Sequence, residues 1–264
     1  MDLQRGVRRT VLPVFRRINL GDITIRHHWT GDPFRLHSFR HKGYWWYGRR
    51  REPRSMALFG KLVRPGDTVF DIGSHIGYVA LYLSWLTGQR GQVCCFEPSP
   101  PNLSYLDVNV ETCARNNIQI VRAAAGDRSG EAPFFIDDVT GQTSTIVPVP
   151  DGLEGISKYN GLPAQYEKCT VPMVTVDSLP QKPDFVKIDV ESFELSVLKG
   201  MESILSTKRP RIMVETGADS AAIALLVEAD YVIHPHQECN VFCVPREDKE
   251  ALRICESATS LAER

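Results

Sequence analysis

From residue 56 onward, short apolar runs alternate with segments whose apolar residues recur at helical spacing. Short apolar runs rich in β-branched residues, such as TVFDI and RIMVE, predict buried parallel strands. The predicted strands cover residues 68–72, 92–96, 118–122, 185–188 and 211–215. Apolar residues at helical spacing lie between the strands, and the predicted helices cover residues 78–86, 102–116, 194–205 and 220–229. Strands and helices that alternate through short connections predict a doubly wound α/β fold with a mostly parallel sheet.

Residues 131–176 interrupt this alternation. The segment is rich in Gly, Pro, Thr and Asp, and its short alternating runs, such as STIVPV, favour an antiparallel excursion over a helix. Irregular segments of this length inside a domain usually serve a function, so we predict a substrate lid here. The chain is therefore divided into an N-terminal extension, residues 1–54, and one α/β domain, residues 55–264, that carries the β-rich insertion.

The overall composition is that of a globular protein, with 42% hydrophobic and 24% charged residues. This excludes a disordered chain, a collagen-like chain and a coiled coil. Because no apolar run approaches the roughly 18–20 residues that span a bilayer, no transmembrane segment is expected. The first twenty residues lack the apolar stretch of a secretory signal, and the seven cysteines show no disulfide spacing. A cytoplasmic location with reduced thiols is expected.

Charge is distributed unevenly along the chain, whose net charge is −1. Residues 1–54 carry thirteen Lys/Arg and four Asp/Glu, and the rest of the chain has a net charge of −10. Such a basic segment contacts an anionic acceptor or an anionic membrane surface, or it packs against the acidic body. Its aromatic and basic residues favour binding of the acceptor, because aromatic faces stack on sugar rings and arginines hold phosphate or carboxylate groups. The predicted acceptor-binding residues are Tyr44, Trp45, Trp46, Tyr47 and Arg49, with Arg50 and Arg51 beside them. Alternatively, the four aromatic residues cover the sheet edge.

The first predicted strand leads directly into a glycine-containing turn with the spacing D-x-G-x-x-x-G, from Asp71 through Gly73 to Gly77. Glycines at such a turn let a ligand approach the backbone and the N-terminus of the next helix. An acid ahead of the turn disfavours a pyrophosphate and favours a ligand that carries an ammonium and a sulfonium group. Glu97 ends the second strand, where a carboxylate accepts hydrogen bonds from two ribose hydroxyls. Together the two features predict S-adenosylmethionine as the cofactor.

Six sequence blocks resemble the FkbM-like S-adenosylmethionine-dependent methyltransferases. In chain order they are DIGSHIG, CFEPSPPNLSYLDVNV, RAAAGDRSG, VDSL, DFVKIDVESFELSVLKG and RPRIMVE, spread over roughly residues 52–217. The resemblance implies a Rossmann-like class I methyltransferase fold. It also implies methyl transfer to a hydroxyl oxygen of a sugar, glycan or related natural product. Two positions depart from the family pattern, because His75 replaces a small amide residue and Ser192 replaces a glycine.

The resemblance also implies where the cofactor binds. Asp71, Gly73 and Gly77 would hold its methionine end, Glu97 its ribose, and residues 124–127 would lie near its adenine. The full set of predicted cofactor-binding residues is Asp71, Gly73, Ser74, His75, Gly77, Glu97, Pro98, Ser99, Ala124, Gly126, Asp127 and Asp189.

Transfer to a hydroxyl needs an aligned acceptor and a group that removes the proton. Lys187, Asp189 and Glu191 alternate along the fourth strand and would point to one side of it. These three residues and His75 are the predicted catalytic residues. Asp189 is placed at the methyl donor and acceptor, and either Glu191 or His75 is the base. A buried ion pair that holds the sheet is the alternative interpretation.

Glu215 ends the fifth strand, next to the fourth. Asp189 and Glu215 could share a divalent cation that lowers the pKa of the acceptor hydroxyl, although a metal is not expected.

Two other function classes stay open. The basic and aromatic N-terminal segment also suits RNA, which would make the protein an RNA methyltransferase. A non-catalytic S-adenosylmethionine-binding protein that docks on anionic lipid is the other class. The acceptor and the oligomeric state are not determined by the sequence.

Overall fold

The computed structural model describes residues 20–137, 144–147, 166–236 and 239–262. Its strands are β1 (Asp22–Arg26), β2 (Pro33–His37), β3 (Thr68–Ile72), β4 (Gln92–Phe96), β5 (Ile118–Val121), β6 (Ala124–Ala125), β7 (Gly130–Asp137), β8 (Tyr166–Val174), β9 (Phe185–Ile188), β10 (Arg211–Glu215), β11 (Tyr231–Pro235) and β12 (Asn240–Pro245). Its helices are α1 (Lys42–Tyr47), α2 (Pro53–Leu62), α3 (Tyr78–Thr87), α4 (Pro100–Thr112), α5 (Glu194–Lys199), α6 (Glu202–Thr207), α7 (Ala221–Glu228) and α8 (Lys249–Ala262).

Seven strands form the central sheet in the order β11-β12-β10-β9-β3-β4-β5. The five strands from β10 to β5 are parallel, and β12 is antiparallel to both of its neighbours. This confirms the predicted doubly wound α/β fold with a mostly parallel sheet. In such a fold, ligands bind at the carboxyl ends of the parallel strands, among them β3 and its neighbours.

Both faces of the sheet are buried, since successive side chains of a strand point to opposite faces. Val69 of β3 packs in one apolar core with helices α2, α3 and α8. Phe70, the next residue, packs in a second core with helices α5, α6 and α7. The continuous apolar runs of the strands are therefore explained by helices on both sides.

The insertion begins with an antiparallel pair. β7 and β8 pair over their length, from Gly130 opposite Met173 to Asp137 opposite Tyr166, and β6 pairs with β8 in parallel. The antiparallel excursion predicted for residues 131–176 is present in this pair. The segments 138–143 and 148–165 lie outside the described residues, and the lid stays a prediction.

The single helix predicted over residues 194–205 is wrong, because the structure divides it into α5 and α6. Gly200 lies at the break, where an added Cβ would come within 1.9 Å of the carbonyl oxygen of Gly126. The carboxylate of Asp177 accepts hydrogen bonds from the backbone N–H groups of Ser203 and Ile204, both at 2.9 Å. These contacts satisfy the first donors of α6 and favour a new helix start there.

The hairpin β1–β2 packs against the α/β core. Phe34 and Leu36 of β2 are fully buried in the same apolar core as helix α3. Asp32, at the turn of the hairpin, forms an ion pair with Arg115. The hairpin itself was not predicted, because residues 1–54 were interpreted from their charge rather than from their alternating apolar positions.

His27 connects the hairpin to helix α3, and we expect it to make stability depend on pH. Its ring is almost fully buried, and Nε2 donates to the carbonyl oxygen of Tyr78 at 2.9 Å. Burial lowers the pKa of His27 from 6.5 to about 4. The unfolded chain therefore binds a proton below pH 6.5 that the folded chain rejects, so stability falls as the pH falls below 6.5.

Between pH 7.5 and 5.5, His27 should lower the free energy of unfolding by about 1.4 kcal/mol. Urea denaturation of the wild type and of His27→Gln at both pH values measures the contribution of His27 to this change in the free energy of unfolding. The variant is less stable overall, but it should lose less stability on acidification. An equal loss in the two proteins would exclude His27 as the source.

Candidate active site

A cavity of about 250 Å³ lies at the carboxyl ends of β3, β4, β9 and β10. Gly73 follows β3, Glu97 follows β4, Asp189 follows β9 and Glu215 ends β10, and all four residues line the cavity. Parallel strands deliver these groups to one edge of the sheet, as the position of the motifs in the sequence predicted.

Gly73, in the turn after β3, packs against the end of β9. Its φ of +82° lies in the left-handed region that favours glycine. An added Cβ would come within 1.8 Å of the carbonyl oxygen of Asp189. Gly77 ends the same turn at φ +90°, and a Cβ there would contact Leu106 at 2.7 Å. Gly73 therefore allows a close approach of backbones that a Cβ would prevent, and Gly77 adopts a φ that residues with a Cβ rarely adopt.

Glu97 is buried, and each of its carboxylate oxygens accepts a hydrogen bond from the backbone. Oε2 accepts from the N–H of His75 at 2.8 Å, and Oε1 accepts from the N–H of Ser99 at 2.9 Å. Asn102 Nδ2 also donates to Oε1, at 3.3 Å. Burial raises the pKa of Glu97 to about 7, although the hydrogen bonds act against this shift. The carboxylate is thus held in one orientation at the wall of the cavity.

The wall beyond Glu97 is made of small and apolar residues. Ala123, Ala124 and Ala125 line it together with Pro98. Three larger apolar side chains complete this end of the cavity: Phe134, Ile146 and Phe193. This end can therefore accept a flat, apolar ring system.

Lys187 lies at the centre of a buried charge cluster below the cavity. Its Nζ is 3.3 Å from Asp71 Oδ1 and 3.3 Å from Asp189 Oδ2, and it donates to the carbonyl oxygen of Gly73 at 2.8 Å. Although burial opposes the charge, the two carboxylates raise the pKa of Lys187. The amine thus stays protonated, which makes it an anchor for Asp189 rather than a base.

Asp189 and Glu215 lie beside each other at the ends of β9 and β10 and interact through their charges. The negative charge of Asp189 is the largest cause that raises the pKa of Glu215, and a hydrogen bond between the two side chains acts in the same direction. Two adjacent carboxyl groups do not both ionise readily, so Glu215 is the protonated partner near neutral pH.

The family model described as "Methyltransferase FkbM domain" matches residues 71–238, which is more than half of the chain. The chain belongs to the FkbM methyltransferase family. The resemblance stated from the six sequence blocks is therefore confirmed.

Similar proteins include the hexuronic acid methyltransferase AglP of Haloferax volcanii, 28% identical over 167 residues. The match covers 61% of this chain and 61% of AglP, so the chain spans about three fifths of that relative. A crystal structure of an FkbM methyltransferase from Methylobacillus flagellatus is 18% identical, with a TM-score of 0.47 over 71% of this chain and 50% of that one. Fibrillarin from Aeropyrum pernix, crystallised with S-adenosylmethionine, is 14% identical, with a TM-score of 0.41 over 85% and 82% of the chains.

Several predicted residues of this FkbM-family chain do not line the cavity. Asp71 is fully buried against Lys187 and is not among the lining residues. Gly126 packs against Gly200, and the backbone N–H of Asp127 donates to Ser196 Oγ at 3.2 Å. Three further predicted residues also lie outside the main lining: Ser74, Gly77 and Ser99.

Glu191 does not continue the strand as predicted. The strand ends at Ile188, and both Glu191 (φ +54°) and Ser192 (φ +78°) have left-handed backbone conformations. The predicted one-sided row of Lys187, Asp189 and Glu191 is therefore wrong, since the backbone turns after Asp189. Glu191 still lines the cavity, where burial raises its pKa to about 8. The left-handed conformation of Ser192 is one that glycine, the residue that the resemblance implies at this position, adopts without strain.

His75 faces the cavity from the glycine turn. Nδ1 lies 2.9 Å from the hydroxyl of Tyr44, and Nε2 is buried without a hydrogen-bond partner among the described residues. Burial lowers the pKa of His75 well below 6.5, so the ring is neutral near pH 7. The backbone φ of +51° is one that a small amide residue, which the resemblance implies at this position, tolerates well.

Of the five predicted acceptor-binding residues, Tyr44 lines the cavity, and of the two arginines beside them Arg51 does. Trp45 Nε1 donates to the carbonyl oxygen of Ser38, whereas Trp46 and Tyr47 are exposed. Four consecutive aromatics were predicted to act together, but helix α1 rotates each residue by about 100° from the previous one. The side chain of Arg49 lies over the Trp29 ring, outside the cavity lining.

Sequence reasoning missed the residues that reach the cavity without a local motif. Glu52, at φ +47°, lines it beside Tyr44, and Asn102 lines it from the start of helix α4. Asn102 is part of the CFEPSPPNLSYLDVNV block, which was the available signal for it. For Glu52, the sequence offered no signal beyond its position next to the three arginines.

Among the residues that the structure describes, no group of three or more His, Cys, Asp or Glu side chains is arranged to hold a metal ion. No helix within the same residues is both long and apolar enough to cross a bilayer.

Proposed function

We propose that this protein is an S-adenosylmethionine-dependent O-methyltransferase that acts on a hydroxyl group of a sugar or glycan. One observation carries the proposal. A single cavity has an ordered, buried carboxylate, Glu97, towards its small and apolar end, and a group of ionisable side chains that includes Asp189 at the ends of β9 and β10. The first end suits a nucleoside and the second suits a polar acceptor.

The residues present fit the cofactor. Glu97 would accept hydrogen bonds from two ribose hydroxyls, and Gly73 leaves room for the amino-acid end beside the backbone. Adenine would lie against Ala124 and the apolar side chain of Phe193. When bound, S-adenosylmethionine supplies a methyl group on a positively charged sulfur.

The chain's own residues would take the proton of the acceptor. When the acceptor hydroxyl is methylated, its proton would move to the carboxylate of Asp189. Glu191, with a pKa of about 8, is protonated near neutral pH, and Lys187 stays protonated as well. Asp189 is therefore the first candidate base, and the neutral ring of His75 is the second.

The acceptor class follows from the lining at this end. The carboxyl groups of Glu52 and Glu215 offer hydrogen-bonding atoms to a polyhydroxylated ring, and Tyr44 lines the cavity beside them. The name of the relative from Haloferax volcanii, a hexuronic acid methyltransferase, supports an acidic sugar or a glycan that contains one.

Isothermal titration with S-adenosylmethionine and S-adenosylhomocysteine tests the cofactor, and radiolabelled methyl transfer to a panel of neutral and acidic glycans tests the acceptor. The proposal requires micromolar binding of the cofactor and base-stable label on oxygen. If the folded wild type binds neither compound, the proposal is excluded.

Glu97→Gln should weaken the affinity for S-adenosylmethionine by about 10- to 100-fold, since one good acceptor for the ribose hydroxyls is lost and the amide must reorient among backbone donors. The same titration on Glu131→Gln, an exposed glutamate outside the cavity lining, provides the control and should give the wild-type affinity. Equal affinities of Glu97→Gln and the wild type would remove Glu97 from the cofactor site.

A further inference from the structure

Arg51 lies in the cavity although the glycine motifs of the family do not include it. Its side chain follows a short 3-10 turn, Gly48–Arg50, and 28% of its surface is exposed. It lines the main cavity and a side pocket of about 40 Å³ that adjoins it. Among the described residues, Arg51 is the only Lys or Arg that lines the main cavity.

The guanidinium of Arg51 is held in place but has donors to spare. Its Cζ lies 4.5 Å from the centre of the Tyr44 ring, and Nη2 lies 3.4 Å from Glu52 Oε1. Within the part of the chain that the structure describes, the guanidinium donates no hydrogen bond. Five N–H donors in a planar fork match the two oxygens of a carboxylate.

The charges around Arg51 define what the cavity can bind. Asp189 and Glu215 line the same cavity and interact with Arg51 electrostatically. Asp189, Glu215 and Glu52 thus present acidic groups to the cavity, and the guanidinium presents a positive charge. A ligand that carries both an ammonium and a carboxylate group complements this arrangement, and so does a polyhydroxylated ring with a carboxylate.

We propose that Arg51 binds the carboxylate of a ligand in this cavity. The proposal rests on the proposed function, from which two sources of the carboxylate follow: the methionine end of the cofactor, or a uronate acceptor. In either case Tyr44 supports the planar guanidinium from one face, and the N–H groups along its edge donate to the ligand.

Arg49 provides a matched control from the same basic run. Its Nε donates to the carbonyl oxygen of His28 at 2.8 Å, and its Cζ lies 5.4 Å from the Trp29 ring. It is thus a second arginine with an aromatic partner, but outside the cavity lining.

The test compares Arg51→Gln, Arg51→Lys and Arg49→Gln with the wild type by isothermal titration. Four probes are used: S-adenosylhomocysteine, 5′-methylthioadenosine (which lacks the amino-acid end), glucuronate and glucose. Arg51→Gln should lower the affinity for a carboxylate-bearing probe at least tenfold and leave its carboxylate-free partner within about twofold. Arg51→Lys, which keeps the charge but loses the fork, should give an intermediate loss, and Arg49→Gln none.

The pair of probes that responds identifies the source of the carboxylate. A loss confined to S-adenosylhomocysteine assigns Arg51 to the cofactor, and a loss confined to glucuronate assigns it to the acceptor. Unchanged affinities of both Arg51 variants for all four probes would overturn the proposal. A wild type that binds neither nucleoside would instead exclude the proposed function, so the two failures are distinguishable.

Discussion

Gly73→Ala should abolish the binding of S-adenosylmethionine and lower the free energy of unfolding by about 3 kcal/mol. The added methyl group would lie 1.8 Å from the carbonyl oxygen of Asp189, so the ends of β3 and β9 must separate. A left-handed φ of +82° adds a cost of its own for any residue with a Cβ. Urea denaturation and cofactor titration of the variant measure the two effects.

Gly66→Ala separates the contribution of φ from that of the contact. Gly66 has a similar φ of +93°, but an added Cβ there has no atom within 4 Å. This variant should lose about 1 kcal/mol of stability and bind the cofactor like the wild type. If Gly73→Ala costs no more than Gly66→Ala, the close approach to Asp189 is not what requires glycine at position 73.

Asp189→Asn should lower kcat by about 10²- to 10⁴-fold, the usual contribution of a positioned base. The amide still reaches Lys187, so S-adenosylmethionine should bind within a few-fold of the wild-type affinity. Single-turnover transfer of labelled methyl, with cofactor and acceptor saturating, measures the chemical step. An unchanged rate would remove Asp189 from the mechanism.

Glu215→Gln is the matched variant of the other member of the pair. Protonated Glu215 donates a hydrogen bond to Asp189, and the amide of glutamine can do the same. We therefore expect kcat at pH 7 within several-fold of the wild type. Equal losses in Glu215→Gln and Asp189→Asn would mean that the two carboxyl groups exchange roles, or that both must be ionised.

The five parallel strands of the central sheet were predictable because their signals are local, whereas β11 and β12 were not predicted. Each predicted strand is a short apolar run, four of them end at or lead into a glycine or an acid, and the bounds predicted for β3, β4, β9 and β10 match the structure. The turn from Gly73 to Gly77 was predictable for the same reason, since a positive φ selects glycine at the residue itself.

The hairpin and the path after Asp189 were not predictable in this way. Phe34 is buried because it contacts a core whose other residues lie far along the chain, such as Leu81. At Glu191 and Ser192, residues with side chains adopt left-handed conformations, for which the sequence period gives no warning. The local sequence pattern therefore does not predict a conformation that depends on tertiary contacts.

The sequence by itself determined the fold class, the family and the strand ends that carry the site, because these depend on apolar periodicity and on short motifs. Only the tertiary structure decided which side chains face the cavity. Tyr44 and Arg51 reach it from a segment before the first strand of the sheet, while Trp46 and Arg49, from the same run, do not. The charge state of Glu215 was also decided there, because it depends on Asp189, a residue that another strand places beside it.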